Sequence, residues 1–436
     1  MATPIYQKPV ELLQNLIRFD TTNPPGNEKA IIAYLKEIIE DAGLKTTILA
    51  KDENRPNLVT RLPGRGDAPP FLLYGHVDVV TTAEQKWTHP PFDALIADDM
   101  IWGRGALDMK GGIAMMVSAV LRAHASGEKL PGDIILAILA DEEDFGNFGA
   151  RFLVEEHTEL FEGVRYAIGE GGGLTIRMGG KKFYTVMVAE KQICSMRATV
   201  RGPAGHGSMP RRGGATAKLA RMLDTLDKNR LPVHITSVTE QMLSTIGSAL
   251  PFPTNLGMKL LLNPTFTDRV LDTLGDKGII INPLLHNTVS PNIVQGGNKV
   301  NVIPSEISVE LDGRLLPQYT PDDMLAELRE LLGDDVELEV TQFDKGAGEP
   351  DMTLYPLLAD VLKKADPTGT PIPMLLSGVT DGRFFSRIGI QTYGYLPMDI
   401  PQELIDTIHA ANERVPVAAM EFGTNAIQEV LRRFGE

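Results

Sequence analysis

Cysteine is almost missing from this chain of 436 residues, where Cys194 stands alone. One thiol excludes an internal disulfide and any metal cluster built on thiolates. Long apolar runs are missing too: no stretch approaches the ~18 apolar residues of a membrane span. Nor is there a basic surplus, since 42 Lys and Arg against 57 Asp and Glu give a formal charge of −15. Nucleic acid and anionic membrane both recruit a basic face, so neither is expected as a partner. The opening stretch "MATPIYQKPVELLQNLIRFD" has no basic segment followed by an apolar one, and the cytoplasm is the expected location. Internal repeats and low-complexity tracts are absent as well.

What is present is apolar material, 43% of the residues, enough for more than one core. Up to about residue 190 helix-like stretches such as "EKAIIAYLKEIIEDAG" and "MKGGIAMMVSAVLRAHASG" accompany strand-like ones, "PNLVTRL", "FLLYGHVDVV" and "GDIILAILA". This is the rhythm of an α/β fold with a doubly wound, mostly parallel sheet. The grammar then changes to the alternating strand "KQICSMRATVRG", the helix "GGATAKLARMLDTLDK", the long extended run "KVNVIPSEISVELDGRLLP" and the helix "PDDMLAELRELLG". It reverts near residue 345. The expected division is therefore a catalytic α/β domain from 1–190 and 345–436, interrupted by an α+β module at 191–344. Residues 231–285, rich in Pro, Leu and Asn, give no clear pattern.

In an open parallel sheet the ligand site lies off the carboxyl ends of the strands, and the unusual polar residues of the first half fall there. His76 and Asp78 close "FLLYGHVDVV", two apart and so on one face. Asp108 precedes a helix, Asp141, Glu142 and Glu143 follow "IILAILA", and Glu170 ends "RYAIGE". Each has an ordinary reading: Asp108 as a helix N-cap, the acidic run as a solvated loop, His76 as a satisfied core histidine. Together they crowd carboxylates and a histidine on one edge, which repel unless cations lie between them. Imidazole and carboxylate without sulfur suit zinc. Asp78 then orients His76 as an acceptor for its second ring nitrogen. His409, before the last helix, is the candidate second histidine ligand. His206 and His286 lie in the inserted module and need another role.

The motifs "GHVDVV", "GRGALDMKGG", "ADEEDFG", "GEGGG", "GPAGHGSMP", "NVIPSEISVELDGR" and "HAANERV" resemble, in order and spacing, those of the M20 metallopeptidases, a group with deacylase, desuccinylase and carboxypeptidase members. The resemblance implies two zinc ions per subunit, with cobalt or manganese as other occupants. Asp108 would bridge them, His76 and Glu170 completing one site and Glu143 and His409 the other. It implies a cis peptide at Asp108–Met109, Glu142 as general base, and 191–344 as a lid and dimerisation domain of a homodimer. His206 resembles the residue that polarises the scissile carbonyl in the partner's site. Arg314, Asn301 and Gly378 resemble substrate-binding positions, with His286 a further candidate.

The chemistry expected is hydrolysis of the amide of an N-acyl amino acid, or release of the C-terminal residue of a small peptide. Arg314 would hold the substrate carboxylate bidentately. An aminopeptidase or dipeptidase is the rival, and would need an acidic anchor for the substrate amine. A silent metal-binding protein is a third reading, disfavoured because it has no use for Glu142.

Overall fold

The structure is a computed structural model that describes residues 3–436, and among these two main sheets organise the chain. The larger has nine strands. Its centre runs Ile134–Leu139, Phe71–His76, Tyr166–Gly169, Gln391–Gly394, each parallel to its neighbour. Both flanks turn antiparallel: Asn57–Leu62 against Ile134–Leu139 on one side, and Lys181–Glu190 against Gln391–Gly394 on the other. Lys181–Glu190 then pairs in parallel with Gly369–Leu376. The parallel stretch is thus the middle, where the candidate ligands sit.

Alternation along Phe71–His76 builds both layers. Phe71 and Leu73 join the cluster under Pro9–Ile17, Lys29–Asp41, Lys110–Ser126 and Val417–Arg433, whereas Leu72 and Tyr74 join Phe152, Leu153, Phe384 and Phe385 on the opposite face. All six residues of this strand are buried. The sequence stretch read as a strand to Val80 leaves the sheet after His76, so Asp78 sits in the loop beyond the edge. The helix after Asp108 begins at Lys110 with Met109 in the capping position and no side-chain cap, which sets aside the N-cap reading of Asp108.

The smaller sheet is wholly antiparallel, in the order Thr288–Gly296, Glu306–Leu315, Gln192–Arg201, Val336–Asp344. Helices Ala215–Lys228 and Pro321–Leu332 cover one face, packing Met222, Met324 and Leu328 on Met196, Val200 and Val309. Thr320 and Asp323 cap the second helix reciprocally. The unreadable segment proves helical: Ser237–Ala249, Thr254–Leu261, Thr267–Leu274 and Asp276–Ile281. Although it falls inside 191–344, its core residues Met242, Leu243 and Ile246 pack on Phe183 and Ile372 of the large sheet. No helix among the described residues is long and apolar enough to cross a membrane.

Because Phe183 is fully buried between the large sheet and these helices, Phe183→Ala is expected to destabilise the protein by about 3–5 kcal/mol in equilibrium denaturation. Amide exchange should quicken in Ser237–Ala249 more than in the small sheet. Equal protection in both would contradict the packing described.

Candidate metal centre

Three neighbouring parallel strands end at the same edge, and each delivers a polar group there. Phe71–His76 ends in His76, Ile134–Leu139 leads into Asp141, Glu142 and Glu143, and Tyr166–Gly169 leads into Glu170. Asp108 approaches from the turn before Lys110–Ser126, and its peptide bond to Met109 is cis. His409 arrives from the stretch between the short helix Gln402–Ile405 and strand Arg414–Pro416, with a backbone φ of +62°.

The side chains converge. His76 Nε2 lies 3.1 Å from Asp108 Oδ1 and 3.4 Å from Glu170 Oε2. His409 Nε2 lies 3.1 Å from Asp108 Oδ2 and 3.2 Å from Glu143 Oε2. Asp108 therefore turns one oxygen to each histidine. Two donor groups result, His76 with Asp108 and Glu170, and Asp108 with Glu143 and His409, the donor atoms of each within 4.8 Å of one another. Glu142 belongs to neither group, its Oε2 standing 4.0 Å from His76 Nε2. His76 is buried, whereas the His409 side chain is 54% exposed, so the site opens on the His409 side.

The tautomer of His76 tests whether cations fit. Its Nδ1 is 3.0 Å from the Asp78 carbonyl, an acceptor, so Nδ1 carries the proton and a neutral ring turns a lone pair toward the Asp108 and Glu170 oxygens. Acceptors facing acceptors stabilise nothing until a proton or a metal ion lies between them. Glu143 Oε1 is buried with no hydrogen-bond partner, a further open lone pair. Imidazole nitrogens and carboxylate oxygens in threes are the donors zinc takes, and the residues fit it.

Protonation equilibria report the same crowding. Burial chiefly, then the Glu170 charge, pushes Glu142 well above the usual carboxylate range. Burial likewise raises Glu143 and Glu170. Burial opposes the charge on His76, but Glu170 and the hydrogen bonds to Asp108 and Asp78 prevail and hold it well above its ordinary value. Hydrogen bonds to Asp108 and Glu143 raise His409 to about 10. Positive charge is drawn into this place from whatever source supplies it.

Asp78 does more than the two-residue spacing suggested. Its carbonyl is closer to His76 than its carboxylate, 3.0 against 3.4 Å. The carboxylate instead accepts the backbone N–H of Glu142 and of Glu143, at 3.2 and 3.1 Å, and the Asn23 amide at 2.8 Å. It fixes the turn that presents both glutamates. Asp141, at φ +70°, is held in that turn by Arg55, Asn23 and the Phe148 N–H.

The remaining sequence candidates lie apart from the two groups. His206 is exposed on a two-residue strand paired with Val302–Ile303, and its Nδ1 accepts from the Ser208 N–H, leaving Nε2–H as a free donor. Asn301 is next to it, its carbonyl accepting the Gly207 N–H at 2.8 Å. Arg314 lies on the small sheet opposite Ile193 and Thr288, with its guanidinium on Asp312 at 2.7 Å. Gly378 follows Gly369–Leu376 with open space where a Cβ would be. His286 is buried between the Asn282 carbonyl and Asp268 on the helical segment and belongs to neither donor group.

Sequence reasoning passed over Asp381 and Glu190. Both oxygens of Asp381 are buried without partners, and burial raises the group to about 8. Glu190, raised to about 7 chiefly by burial, accepts the N–H and hydroxyl of Thr380. The acidic residue inside "SGVTDGR" and the one closing "VMVAE" were the available signals.

The pattern of the peptidase family M20/M25/M40 matches residues 72–433. A succinyl-diaminopimelate desuccinylase from Alkalilimnicola ehrlichii is 30% identical over 84% of this chain and 84% of its own. An N-fatty-acyl-amino acid synthase/hydrolase from Homo sapiens is 27% identical over 83% of this chain and 74% of its own. Among solved structures, an M20 family metallo-carboxypeptidase from Sulfolobus solfataricus superposes with a TM-score of 0.68 at 17% identity, covering 98% of this chain and 99% of the other. A tripeptidase from Staphylococcus aureus gives 0.66 at 17% identity, over 99% and 98%. With the family pattern running from the central strand to the last helix, the chain belongs to peptidase family M20/M25/M40.

Proposed function

We propose that the protein is a two-zinc amidohydrolase that cleaves the amide bond of an N-acyl amino acid or releases the C-terminal residue of a small peptide. One observation carries the reading: the two oxygens of the Asp108 carboxylate each face a separate donor group, with Glu142 beside them and outside both. Two zinc ions, when bound, supply Lewis acidity that lowers the pKa of water to roughly 7 and offsets charge on the carbonyl oxygen. Glu142 takes the proton as water adds to the amide carbon, and returns it to the departing amine as the C–N bond breaks. The turn held by Asp78 keeps Glu142 pointed at that water. The free Nε2–H of His206 suits it to donate to the carbonyl oxygen. Arg314, assisted by Asn301 and the Gly378 backbone, is assigned the substrate carboxylate, exchanging Asp312 for it. The relatives named for N-fatty-acyl-amino acids and for succinyl-diaminopimelate have in common an acyl amide on an amino acid.

In this reading 1–190 and 345–436 form the catalytic domain, and 191–344 carries the lid through which two copies pair in the cytoplasm. The outer strand Thr288–Gly296 supports pairing, since it is an unpaired edge with Ile293 and Val294 each 53% exposed. His206 would then serve the partner's site.

Glu142→Ala is expected to keep two zinc ions while kcat falls ~10²–10⁴-fold, measured over N-acyl amino acids, N-succinyl diamino acids and dipeptides with zinc added back. Loss of zinc in this variant, or an unchanged rate, would contradict the assignment. Mixing inactive His206→Ala with inactive Glu142→Ala subunits should restore activity in heterodimers, because one site then combines an intact base with a partner's His206. Proven heterodimers without activity would remove the cross-subunit role.

A further inference from the structure

His409 is the most exposed residue of the two donor groups and sits on a left-handed backbone, a conformation uncommon outside glycine. Something must hold it. Gln85 donates its side-chain N–H to the His409 carbonyl at 2.9 Å. The Gln85 Oε1 accepts from Arg104 at 2.8 Å and from the Trp87 indole at 3.2 Å. Arg104, itself buried, donates to Glu413 Oε2 at 2.7 Å. Glu413, fully buried, accepts the backbone N–H of Gly105 on the same oxygen, and those of Leu107 and Asp108 on the other, at 2.8 and 3.1 Å.

The chain of bonds is closed. It leaves Asp108 through its N–H, passes through Glu413, Arg104 and Gln85, and returns to His409, whose Nε2 faces the Asp108 carboxylate. His76 lies outside it, being held by the Asp78 carbonyl. We infer that Gln85, Arg104 and Glu413 are positioning residues for the metal ligands, and that Gln85 sets the affinity of one site, the Asp108, Glu143 and His409 group, independently of the other. The inference rests on the two-metal reading above. Of the metal-ligand candidates, Gln85 bonds His409 alone. Glu413 acts on Asp108, which both groups use, and so governs both. Residues that orient ligands in this way commonly contribute ~10–100-fold to metal affinity.

The test is zinc titration of chelator-stripped full-length protein, resolving two binding events by calorimetry or chelator competition. Gln85→Ala is expected to weaken one event ~10–100-fold, leave the other within about twofold, and leave the melting temperature of the stripped protein unchanged. Gln85→Glu keeps an acceptor for Arg104 and Trp87 but offers His409 no donor, and should behave as Gln85→Ala does. Glu413→Gln should weaken both events and speed amide exchange at Leu107 and Asp108. If both events in Gln85→Ala keep wild-type affinity, or both weaken together with a lower melting temperature, the inference is overturned. A wild-type protein that takes up fewer than two zinc ions overturns the two-metal reading itself, and this inference with it.

Discussion

Carboxylates crowded at one edge of a parallel sheet are the constraint on which the rest of this structure depends. The crowding follows from topology, because strands that run side by side in one direction end on the same side, and three of them here end in acidic residues or lead into them. Burial penalises each charge, and the upward shifts of Glu142, Glu143 and Glu170 measure that penalty. Two histidines raised well above their ordinary values offset part of it. Cations that bind the folded chain and not the unfolded one add stability by mass action, about 2.7 kcal/mol at a hundredfold excess over Kd. Folding and metal uptake are therefore one linked equilibrium in this protein.

Around the acidic centre the fold spends buried polar groups on geometry more than on stability. Glu28 and Arg55 form a bidentate pair, both buried, and Arg55 reaches on to Asp141, which shares Asn23 with Asp78. Pairs of this kind roughly break even against apolar packing of the same volume, while removing one partner commonly costs ~3–5 kcal/mol. Their return here is the turn at Asp141, from which Glu143 points to one donor group and Glu142 to neither. A one-residue change of phase in that turn would exchange which glutamate reaches the donor group.

The acidic edge was legible in the sequence because its signals are local. An apolar strand that ends in His-x-Asp, a helix preceded by Asp, and "DEED" after a buried run each declare themselves within a few residues. What stayed hidden depends on partners far along the chain. Gln85 bonds His409 across 324 positions and Arg104 bonds Glu413 across 309, and neither Gln85 nor Glu413 looks unusual beside its own neighbours. The helices between 237 and 281 were unreadable for a similar reason. Most of them are too short to hold together alone, and their order comes from Phe183 and Ile372. For Asp78 the spacing marked the right residue, but its main work, receiving two amides of a turn 64 and 65 residues away, is a tertiary fact.

The same long-range logic applies where the two sheets meet. The chain leaves the large sheet at Glu190 and enters the small one at Gln192, with Lys191 between them and buried. Lys191 Nζ donates to the His286 carbonyl at 2.8 Å and to the Thr288 hydroxyl at 2.9 Å, and His286 forms a bridge with Val233. The helical segment that packs on the large sheet begins just after Val233 and ends just before His286, and Thr288 starts the outer strand of the small sheet. Three passages of the chain between the sheets are thus stitched together around one ammonium group. Further bonds fasten the same junction, for His234 and Asn287 both reach Glu327 on the helix of the small sheet, and Ser237 and Gln318 both reach Glu349. Arg314 lies on the small sheet beyond this junction, and the acidic centre lies at the edge of the large one. The carbonyl and the hydroxyl that receive Lys191 offset the cost of burying so polar a side chain at the junction.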